Sequence, residues 1–333
     1  MARSDLLISL VKASIDGNTS AVRSTVESII SEEKSKQHNI LAERLTHALQ
    51  TNGNGKHLFS QADYKTQNKV REALAEFTPK RQLDELVLNK QTRQSVNQLI
   101  EEQQRARLLR SYGLDPRHRI ILVGPPGNGK TTLAEAIAEA LIVPFFIVRY
   151  EALVGSYLGE TAQRLKHIFD FIRTTPCVIF FDEFDAVGKE RGDLHETGEI
   201  KRVVSSLLMH VDELPSYSVI IAASNHAELL DRAVWRRFQL RLTLPSPTPK
   251  ELQTYFEKHF QQFHGVPAIS PENIVKRLGK ISYAEAEEFI LDIRRQEVLS
   301  MHEKLLRTIV KEQLQAWEER SQTKNQYTQT KDE

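Results

Sequence analysis

A glycine-rich segment that ends in lysine and threonine is the first part of the sequence whose residue types could do chemistry. Residues 124–131 read GPPGNGKT and fit the phosphate-binding pattern G-x-x-x-x-G-K-[ST]. Its glycines let backbone N–H groups face phosphates, Lys130 reaches the β and γ oxygens, and the Thr131 hydroxyl can ligate magnesium. The residues expected around the phosphates are Gly124, Pro125, Pro126, Gly127, Asn128, Gly129, Lys130, Thr131 and Thr132.

A mere glycine-rich turn is the alternative interpretation of this segment. An apolar stretch, residues 120–123, comes directly before it, and the helical pattern TLAEAIAEAL comes after it. A strand, a glycine-rich loop and a helix in this order are the setting that phosphate binding requires, so the phosphate-binding interpretation is favoured.

Two carboxylates follow another apolar stretch. Residues 178–186 read VIFFDEFDA, so a buried strand is expected to end at Asp182 and Glu183. At a phosphate-binding site one carboxylate in this place holds magnesium through water, and a second acts as base toward the attacking water. A solvated acidic strand end is the alternative, but four apolar residues directly before the pair favour the site.

A third strand end supplies an amide. The apolar run Val219–Ala223 is followed by Ser224 and Asn225. Strands of a parallel sheet deliver such residues to one carboxyl edge, where ligands of these folds bind. Asn225 could therefore orient a water molecule, although an isolated Asn at a strand end is more often a turn former.

The segments GPPGNGKT, FFDEFDA, IIAASN and LDRAVWRRFQLRLTLP occur in the order typical of an AAA ATPase, and the resemblance covers about Leu83 to Leu299. It implies hydrolysis of ATP to ADP and phosphate, with ATP and Mg²⁺ as cofactors. It further implies Lys130 and Thr131 as phosphate and magnesium residues, Asp182 as the Walker B magnesium ligand and Glu183 as catalytic base. Asn225 would be the sensor 1 residue.

The resemblance also implies an arginine that reaches into the neighbouring subunit's ATP, and the matching position is Arg237 rather than Arg236. Many relatives have a second such arginine three residues later, where this chain has Leu240. Arg241 is displaced by one position, so whether it substitutes stays open. The segment SYAEAE has no arginine near Ala284, which resembles the AAA branch proper rather than the clamp-loader and initiator branches.

A pore motif is a further point of resemblance. In family members that thread polypeptides, an aromatic residue, a hydrophobic residue and a glycine line the central pore, and the matching residues are Tyr157, Leu158 and Gly159. A tyrosine that packs over a loop is the alternative. Because Gly155 and Gly159 flank Tyr157 between a strand and a helix, we favour the pore.

Apolar runs separated by helix-length segments predict the sheet that must position these residues. Parallel strands buried on both faces have this pattern, and Phe238, Leu240, Leu242 and Leu244 alternate with polar residues as in an edge strand. The fold class is therefore α/β: a P-loop NTPase with a parallel doubly wound sheet, a small helical lid and an N-terminal helical domain. The predicted strands are Ile120–Val123, Pro144–Val148, Val178–Phe181 and Val219–Ala223.

Two capping boxes mark the lid. TPKE at Thr248–Glu251 and SYAE at Ser282–Glu285 each place a hydroxyl three residues before a glutamate, so each should begin a helix, and the second helix should run through Leu299. From Lys311 the chain becomes polar, and the end, SQTKNQYTQTKDE, is expected to fray.

The part before the core is expected to be helical. Apolar residues between Ser4 and Gln50 recur at helical spacing, and NGNG at 52–55 should end that unit. Helices are also predicted over Gln61–Phe77, ended by Pro79, and over Thr92–Tyr112, the latter exposed. The predicted domains are 1–52, an N-terminal bundle that docks a partner; 53–82, a linker with a helix; 83–247, the ATPase core; 248–300, the lid; and 301–333, a C-terminal helix with a polar tail.

Composition narrows the function classes. Forty-five basic and 44 acidic residues leave a net charge of +1, and no charged tail or DNA-binding motif argues for nucleic acid. The apolar runs are too short for a membrane span. The single cysteine, Cys177, excludes an internal disulfide, fits a cytoplasmic address and is expected to be a buried packing residue.

The motifs together predict a ring of identical subunits, expected to be a hexamer, that uses ATP to remodel or thread a protein substrate gripped in the pore. The alternative is an ATP-dependent switch that controls a partner enzyme without threading. Compact bacterial AAA proteins found beside subtilisin-like proteases have a similar layout, so such a protease is one expected partner.

Overall fold

The computed structural model describes residues 24–31, 73–149, 158–185, 206–265, 267, 269–300 and 305–329. The chain divides into two compact units, Met1–Asp63 and Tyr64–Glu333. In the first unit residues 24–31 are helical, with Ile29 and Ile30 buried. The other N-terminal helices predicted from the sequence, and the NGNG segment, lie outside the described residues.

The second unit holds a six-stranded sheet and helices on both of its faces. Its strands are β1 (Leu74–Phe77), β2 (Arg119–Val123), β3 (Phe145–Val148), β4 (Val178–Phe181), β5 (Val219–Ser224) and β6 (Leu240–Thr243). Its helices up to β6 are α1 (Lys90–Gln104), α2 (Ala106–Ser111), α3 (Lys130–Leu141), α4 (Leu158–Ile172) and α5 (Arg232–Arg237), and residues 206–212 are also helical.

The strands lie in the order β1-β3-β4-β5-β2-β6, and all neighbouring pairs are parallel except β1 with β3. The four core strands and the edge strand predicted from the sequence are therefore confirmed. The order places β4, β5 and β2 side by side, so the residues that follow these three strands meet at one edge of the sheet.

Each face of the sheet has its own apolar core. One face packs against α1 and α3 through residues such as Val96, Leu99 and Ile137, and the other packs against α4 and the helix over 206–212. Consecutive strand residues alternate between the two cores, as Ile120 and Ile121 do. This three-layer arrangement is the predicted α/β fold.

The helix predicted over Gln61–Phe77 is wrong for its last four residues. Leu74–Phe77 form β1, which pairs antiparallel with β3 from Leu74 opposite Val148 to Phe77 opposite Phe145. Ala75 and Glu76 favour helix locally, but the free edge of β3 offers a ladder of backbone hydrogen bonds. The sheet therefore begins before residue 83, where the sequence placed the start of the core.

The helix predicted over Thr92–Tyr112 begins two residues earlier and is divided at Arg105 into α1 and α2. Its prediction as an exposed helix is wrong for one face, because Val96 and Leu99 are fully buried against the sheet. The Asn89 side chain caps α1 by accepting a hydrogen bond from the Thr92 N–H at 2.8 Å.

Four helices form the lid and its C-terminal extension: α6 (Pro249–Phe260), α7 (Pro271–Leu278), α8 (Tyr283–Leu299) and α9 (Leu306–Gln329). Both predicted capping boxes are present, at Thr248 with Glu251 and at Ser282 with Glu285. The sequence did not predict α7. The chain end, which the sequence predicts to fray, has a helical backbone as far as Gln329.

Cys177 is fully buried beside β4, as expected for a packing residue, and burial raises the pKa of its thiol to about 12. Among the described residues no helix is long and apolar enough to cross a membrane.

Candidate nucleotide site

The three segments that carry the predicted chemistry meet at one edge of the sheet. The loop Gly124–Gly129 follows β2, Asp182 and Glu183 follow β4, and Asn225 follows β5. Backbone hydrogen bonds hold two of these segments against β5, from Gly124 N to Ser224 O at 3.2 Å and from Phe184 N to Ala223 O at 2.8 Å. The parallel sheet thus gathers side chains that lie far apart in sequence.

Two glycines of the loop have no room for a side chain. Gly124 has φ of 150°, and a Cβ there would lie 2.1 Å from the Leu244 carbonyl oxygen. Gly127 has φ of 73°, and its Cβ would meet the Ser282 hydroxyl at 3.0 Å and the Ala284 Cβ at 3.2 Å. The lid therefore lies directly against the loop, and the Ala284 N–H donates to the Gly127 carbonyl at 2.9 Å.

Lys130 is the first residue of α3, and the residue as a whole is only 7% exposed. Its Nζ donates to the carbonyl oxygens of Gly124 at 2.7 Å and Pro125 at 2.9 Å, and to Asn225 Oδ1 at 2.6 Å. Burial lowers the pKa of Lys130, and the negative charge of Asp182 partly opposes that shift. The hydrogen bond to Oδ1 joins Lys130 directly to Asn225.

The paired carboxylates lie beside Lys130 on a constrained backbone. Glu183 has φ of 46°, a left-handed conformation that is uncommon for a residue with a side chain, and its N–H donates to Asp182 Oδ1 at 2.9 Å. Local strain of this kind is often found where a side chain must be aimed. Both residues line the same cavity as Lys130.

Asp185 is a third carboxylate near the site that the sequence analysis did not single out. It is 7% exposed, and its Oδ1 has no hydrogen-bond partner within the part of the chain that the structure describes. Its charge also acts to raise the pKa of Lys130. Its place in VIFFDEFDA, three residues after Asp182, was the signal available in the sequence.

A cavity of about 770 Å³ lies over this edge of the sheet, a size typical of small-molecule sites. Its phosphate-loop side contains the predicted residues Pro126, Gly127, Asn128, Gly129, Lys130, Thr131, Thr132, Asp182, Glu183 and Asn225. Gly124 and Pro125 are outside its lining and act through the carbonyls that hold Lys130.

The rest of the cavity wall was not predicted from the sequence. Leu86, Val87 and Leu88, which precede α1, form one part, and Tyr255, His259 and Tyr283 of the lid form another. Tyr255 and His259 have ring centroids 4.3 Å apart, and burial lowers the pKa of His259. The lid thus adds aromatic rings to the cavity, together with the charged side chains of Lys258 and Glu287, and rings beside a polar phosphate loop suit a ligand with a flat ring and an anionic end.

Arg237 lies away from this cavity, at the end of α5. Its Nε donates to Asp212 Oδ2 at 2.8 Å, and Arg119 donates to the other oxygen of Asp212 at 2.8 Å. Arg241 donates to the Trp235 carbonyl at 2.6 Å and stacks over the Trp235 ring. Arg119 lies in β2 and Arg241 in β6, the two strands at one end of the sheet, and Arg237 shortly precedes β6.

Of the three predicted pore residues, the structure describes only the backbone of two. Tyr157 lies outside the described residues, and Leu158 and Gly159 are the first two residues of α4, so their backbone is helical.

A parallel sheet with a glycine-rich phosphate loop at its carboxyl edge defines a P-loop nucleotide-binding protein. Residues 120–246 match the family model described as "ATPase family associated with various cellular activities (AAA)". The chain is 35% identical over 301 residues to the uncharacterized AAA family ATPase y4kL of Sinorhizobium fredii, a match that covers 86% of this chain and 87% of the relative. The chain belongs to the AAA ATPase family, and it is an enzyme that hydrolyses ATP.

Two other relatives share only the ATPase part. The peroxisomal ATPase pex6 of Schizosaccharomyces pombe is 39% identical over 38% of this chain and 14% of its own length. The cell division cycle protein 48 homolog of Archaeoglobus fulgidus is 32% identical over 54% of this chain and 25% of its own length. The chain thus spans a quarter or less of either relative.

Proposed function

We propose that this ATPase works as a ring of identical subunits, a hexamer, that couples ATP hydrolysis to remodelling or threading of a protein substrate. The observation that carries the proposal is the convergence of the phosphate loop, Asp182, Glu183 and Asn225 on one cavity beneath the lid, with Arg237 outside that cavity. The first part supplies the chemistry, and Arg237, as the AAA resemblance implies, would act on the ATP of a neighbouring subunit.

The roles proposed inside the cavity follow from the contacts. Lys130 and the N–H groups at the start of α3 bind the β- and γ-phosphates, because a helix N-terminus favours anions. Glu183 acts as base toward the attacking water, and Asn225 orients that water with its amide. ATP that draws Lys130 away from Asn225 Oδ1 would free this oxygen for the water, which would tie water positioning to phosphate binding.

Magnesium is proposed to bind at Thr131 and, through water, at Asp182. The ligand atoms at this place are oxygens, which Mg²⁺ prefers. One oxygen of Asp182 accepts from the Glu183 N–H, and the other has no hydrogen-bond partner among the described residues, so an ion-bound water could reach it. No cluster of three acidic, His or Cys side chains suited to a metal occurs in the described residues. This fits an ion held mainly by water and nucleotide phosphates, whose charge it would neutralise.

The ring is supported by the position of Arg237. A guanidinium that does not line its own chain's cavity can still act on the ATP of an adjacent subunit, as the AAA resemblance implies. Its partner Asp212 is half-exposed, so the pair lies at the surface where a second copy could reach it.

Work on protein substrates is supported at a general level by the relatives. They include a peroxisomal ATPase, a putative 26S proteasome regulatory subunit homolog and an ATP-dependent zinc metalloprotease. Tyr157, Leu158 and Gly159 are proposed to grip the substrate, and the unit before residue 53 is proposed to dock it. Deletion of residues 1–53 should leave basal ATPase largely intact while abolishing partner binding.

The alternative is an ATP-dependent switch over a partner enzyme such as a subtilisin-like protease. The two functions can be separated with Tyr157→Ala and Glu183→Gln. Tagged Glu183→Gln protein with ATP should first retain the partner for identification, and the partner-dependent activity of both variants is then measured. Loss in both variants supports threading, whereas loss in Glu183→Gln alone removes the pore from the mechanism and leaves the switch.

A further inference from the structure

The lid has an apolar core of its own. Leu252, Phe256, Phe289, Ile293 and Leu314 belong to one cluster of buried side chains that is separate from the two clusters on the faces of the sheet. Because the described residues of the lid and the sheet share no apolar core, we expect contacts at their boundary to set how the lid lies over the nucleotide cavity.

Residues 80–88, which we call the strap, run along that boundary and are fixed to the core. The backbone N–H groups of Lys80 and Arg81 both donate to Glu135 Oε1 of α3, at 2.9 and 3.3 Å. Further along, the Arg93 guanidinium of α1 donates to the Leu86 carbonyl at 2.6 Å. The strap therefore moves with α3, the helix that carries the phosphate loop.

The same strap is tied to the lid by side chains. Arg81 Nη2 donates to Glu287 Oε1 of α8 at 2.5 Å, and Lys258 Nζ of α6 donates to the Asp84 carbonyl at 2.8 Å. All four of these residues line the cavity. The contacts therefore join two lid helices to a segment anchored on α3, across the wall of the cavity.

We propose that Arg81 and Glu287 form a latch that holds the lid over bound nucleotide, so that breaking this ion pair speeds nucleotide release. The proposal rests on the proposed function in one respect, since it takes the ligand of this cavity to be ATP or ADP. The two residues are positioning residues, which act on the lid rather than on the phosphates. Their side chains are 42% and 38% exposed, so solvent screens the pair.

The test measures release without hydrolysis. Full-length wild-type protein and the variants Arg81→Ala, Glu287→Gln and the double variant are loaded with N-methylanthraniloyl-ADP, and its dissociation is followed after mixing with excess ADP. An exposed ion pair predicts that each single variant releases the nucleotide about twofold to fivefold faster. The double variant should be no faster than the faster single one, because both changes remove the same contact. The gain should shrink at high salt.

Arg277 and Glu318 supply a matched control. They form an ion pair of similar exposure, 37% and 38%, between α7 and α9 inside the lid and away from the strap. Arg277→Ala should therefore leave dissociation unchanged. Unchanged release in the two single variants, additive effects in the double variant, or equal acceleration by Arg277→Ala would each overturn the latch. Failure of the wild type to bind ADP would instead overturn the proposed function, and the latch with it.

Discussion

The ammonium of Lys130 and the side-chain oxygen of Asn225 lie 2.6 Å apart, although the residues are 95 positions apart in sequence. Lys130 is the residue proposed to bind phosphate, and Asn225 is the one proposed to orient water. The ammonium donates all three of its hydrogen bonds, to Gly124, Pro125 and Asn225, so a phosphate that binds Lys130 must replace at least one of them, and we expect it to replace the bond to Asn225. The pair thus links nucleotide binding to assembly of the hydrolytic site.

Asn225→Ala should separate these two effects. The variant loses the contact that competes with phosphate, so its affinity for ATP should be equal to or above that of the wild type. Its hydrolysis should fall about a hundredfold, as when one oriented polar group is removed from a catalytic site. Fluorescent nucleotide binding and phosphate release measure the two quantities. Asn225→Asp is the comparison, since a carboxylate would hold Lys130 more firmly and weaken binding. An Asn225→Ala protein that binds ATP as poorly as Lys130→Ala would contradict this model.

Substitutions of Lys130 and Glu183 should affect different steps, nucleotide binding for Lys130 and hydrolysis for Glu183. Lys130→Ala should weaken nucleotide binding, because the buried ammonium is lost from the phosphate side of the cavity. Glu183→Gln should bind ATP yet hydrolyse it at least about a hundredfold more slowly, the lower range for a missing general base. Equilibrium binding and steady-state phosphate release test both. Normal turnover by the glutamine variant would rule out the role given to Glu183.

Arg237 should act on the neighbouring subunit's ATP. An arginine supplied across an interface typically raises turnover by roughly 10³ to 10⁵. ATPase activity per subunit should therefore rise with protein concentration, and Arg237→Ala subunits mixed with wild type should depress activity beyond dilution. Arg241→Ala is the comparison, because a similar loss of activity in that variant would assign to Arg241 the second role in trans that the sequence leaves open. Rates strictly proportional to the wild-type fraction would show that subunits do not share sites.

A substitution at Gly127 should test how much the contact between the phosphate loop and the lid contributes to ATP binding. Gly127→Ala places a methyl group against Ser282 and Ala284, which should displace the lid and raise KM for ATP. Gly113 has nearly the same φ, 72° against 73°, and nothing within 4 Å of an added Cβ. Gly113→Ala therefore carries similar backbone strain without the clash, and comparing KM in the two variants isolates the lid contact. Equal KM values in the two variants would mean that the lid can move away from residue 127 without loss of ATP binding.

Cys177 should resist thiol reagents in the folded protein. It is fully buried, and its pKa of about 12 keeps the thiol protonated at neutral pH, whereas alkylation requires the thiolate. Labelling with iodoacetamide, read by mass spectrometry, should be negligible in buffer and complete in denaturant. ATP, if it stabilises the fold, should slow labelling at intermediate denaturant. Rapid labelling of the native protein would place Cys177 at the surface.

The amino-acid sequence was enough to predict ATP hydrolysis, the candidate site residues and most of the sheet. The phosphate loop, Asp182 with Glu183, and Asn225 are recognisable because each follows a short apolar run, and buried parallel strands produce such runs wherever they occur. The capping boxes at Thr248 and Ser282 are equally local, since their hydrogen bonds join residues three positions apart. Features of this kind can be predicted because sequence spacing alone sets the geometry.

The sequence did not predict the strand and the ion pairs whose partners lie far away along the chain; these became visible only in the tertiary structure. Leu74–Phe77 contains helix formers, yet it is a strand because the edge of β3 is free to pair with it. The contacts of Asp212 with Arg237 and of Arg81 with Glu287 have no local signature, and the second pair is separated by 206 positions. Such contacts exist only after the sheet and the lid have packed, because packing brings charges together that the chain order keeps apart.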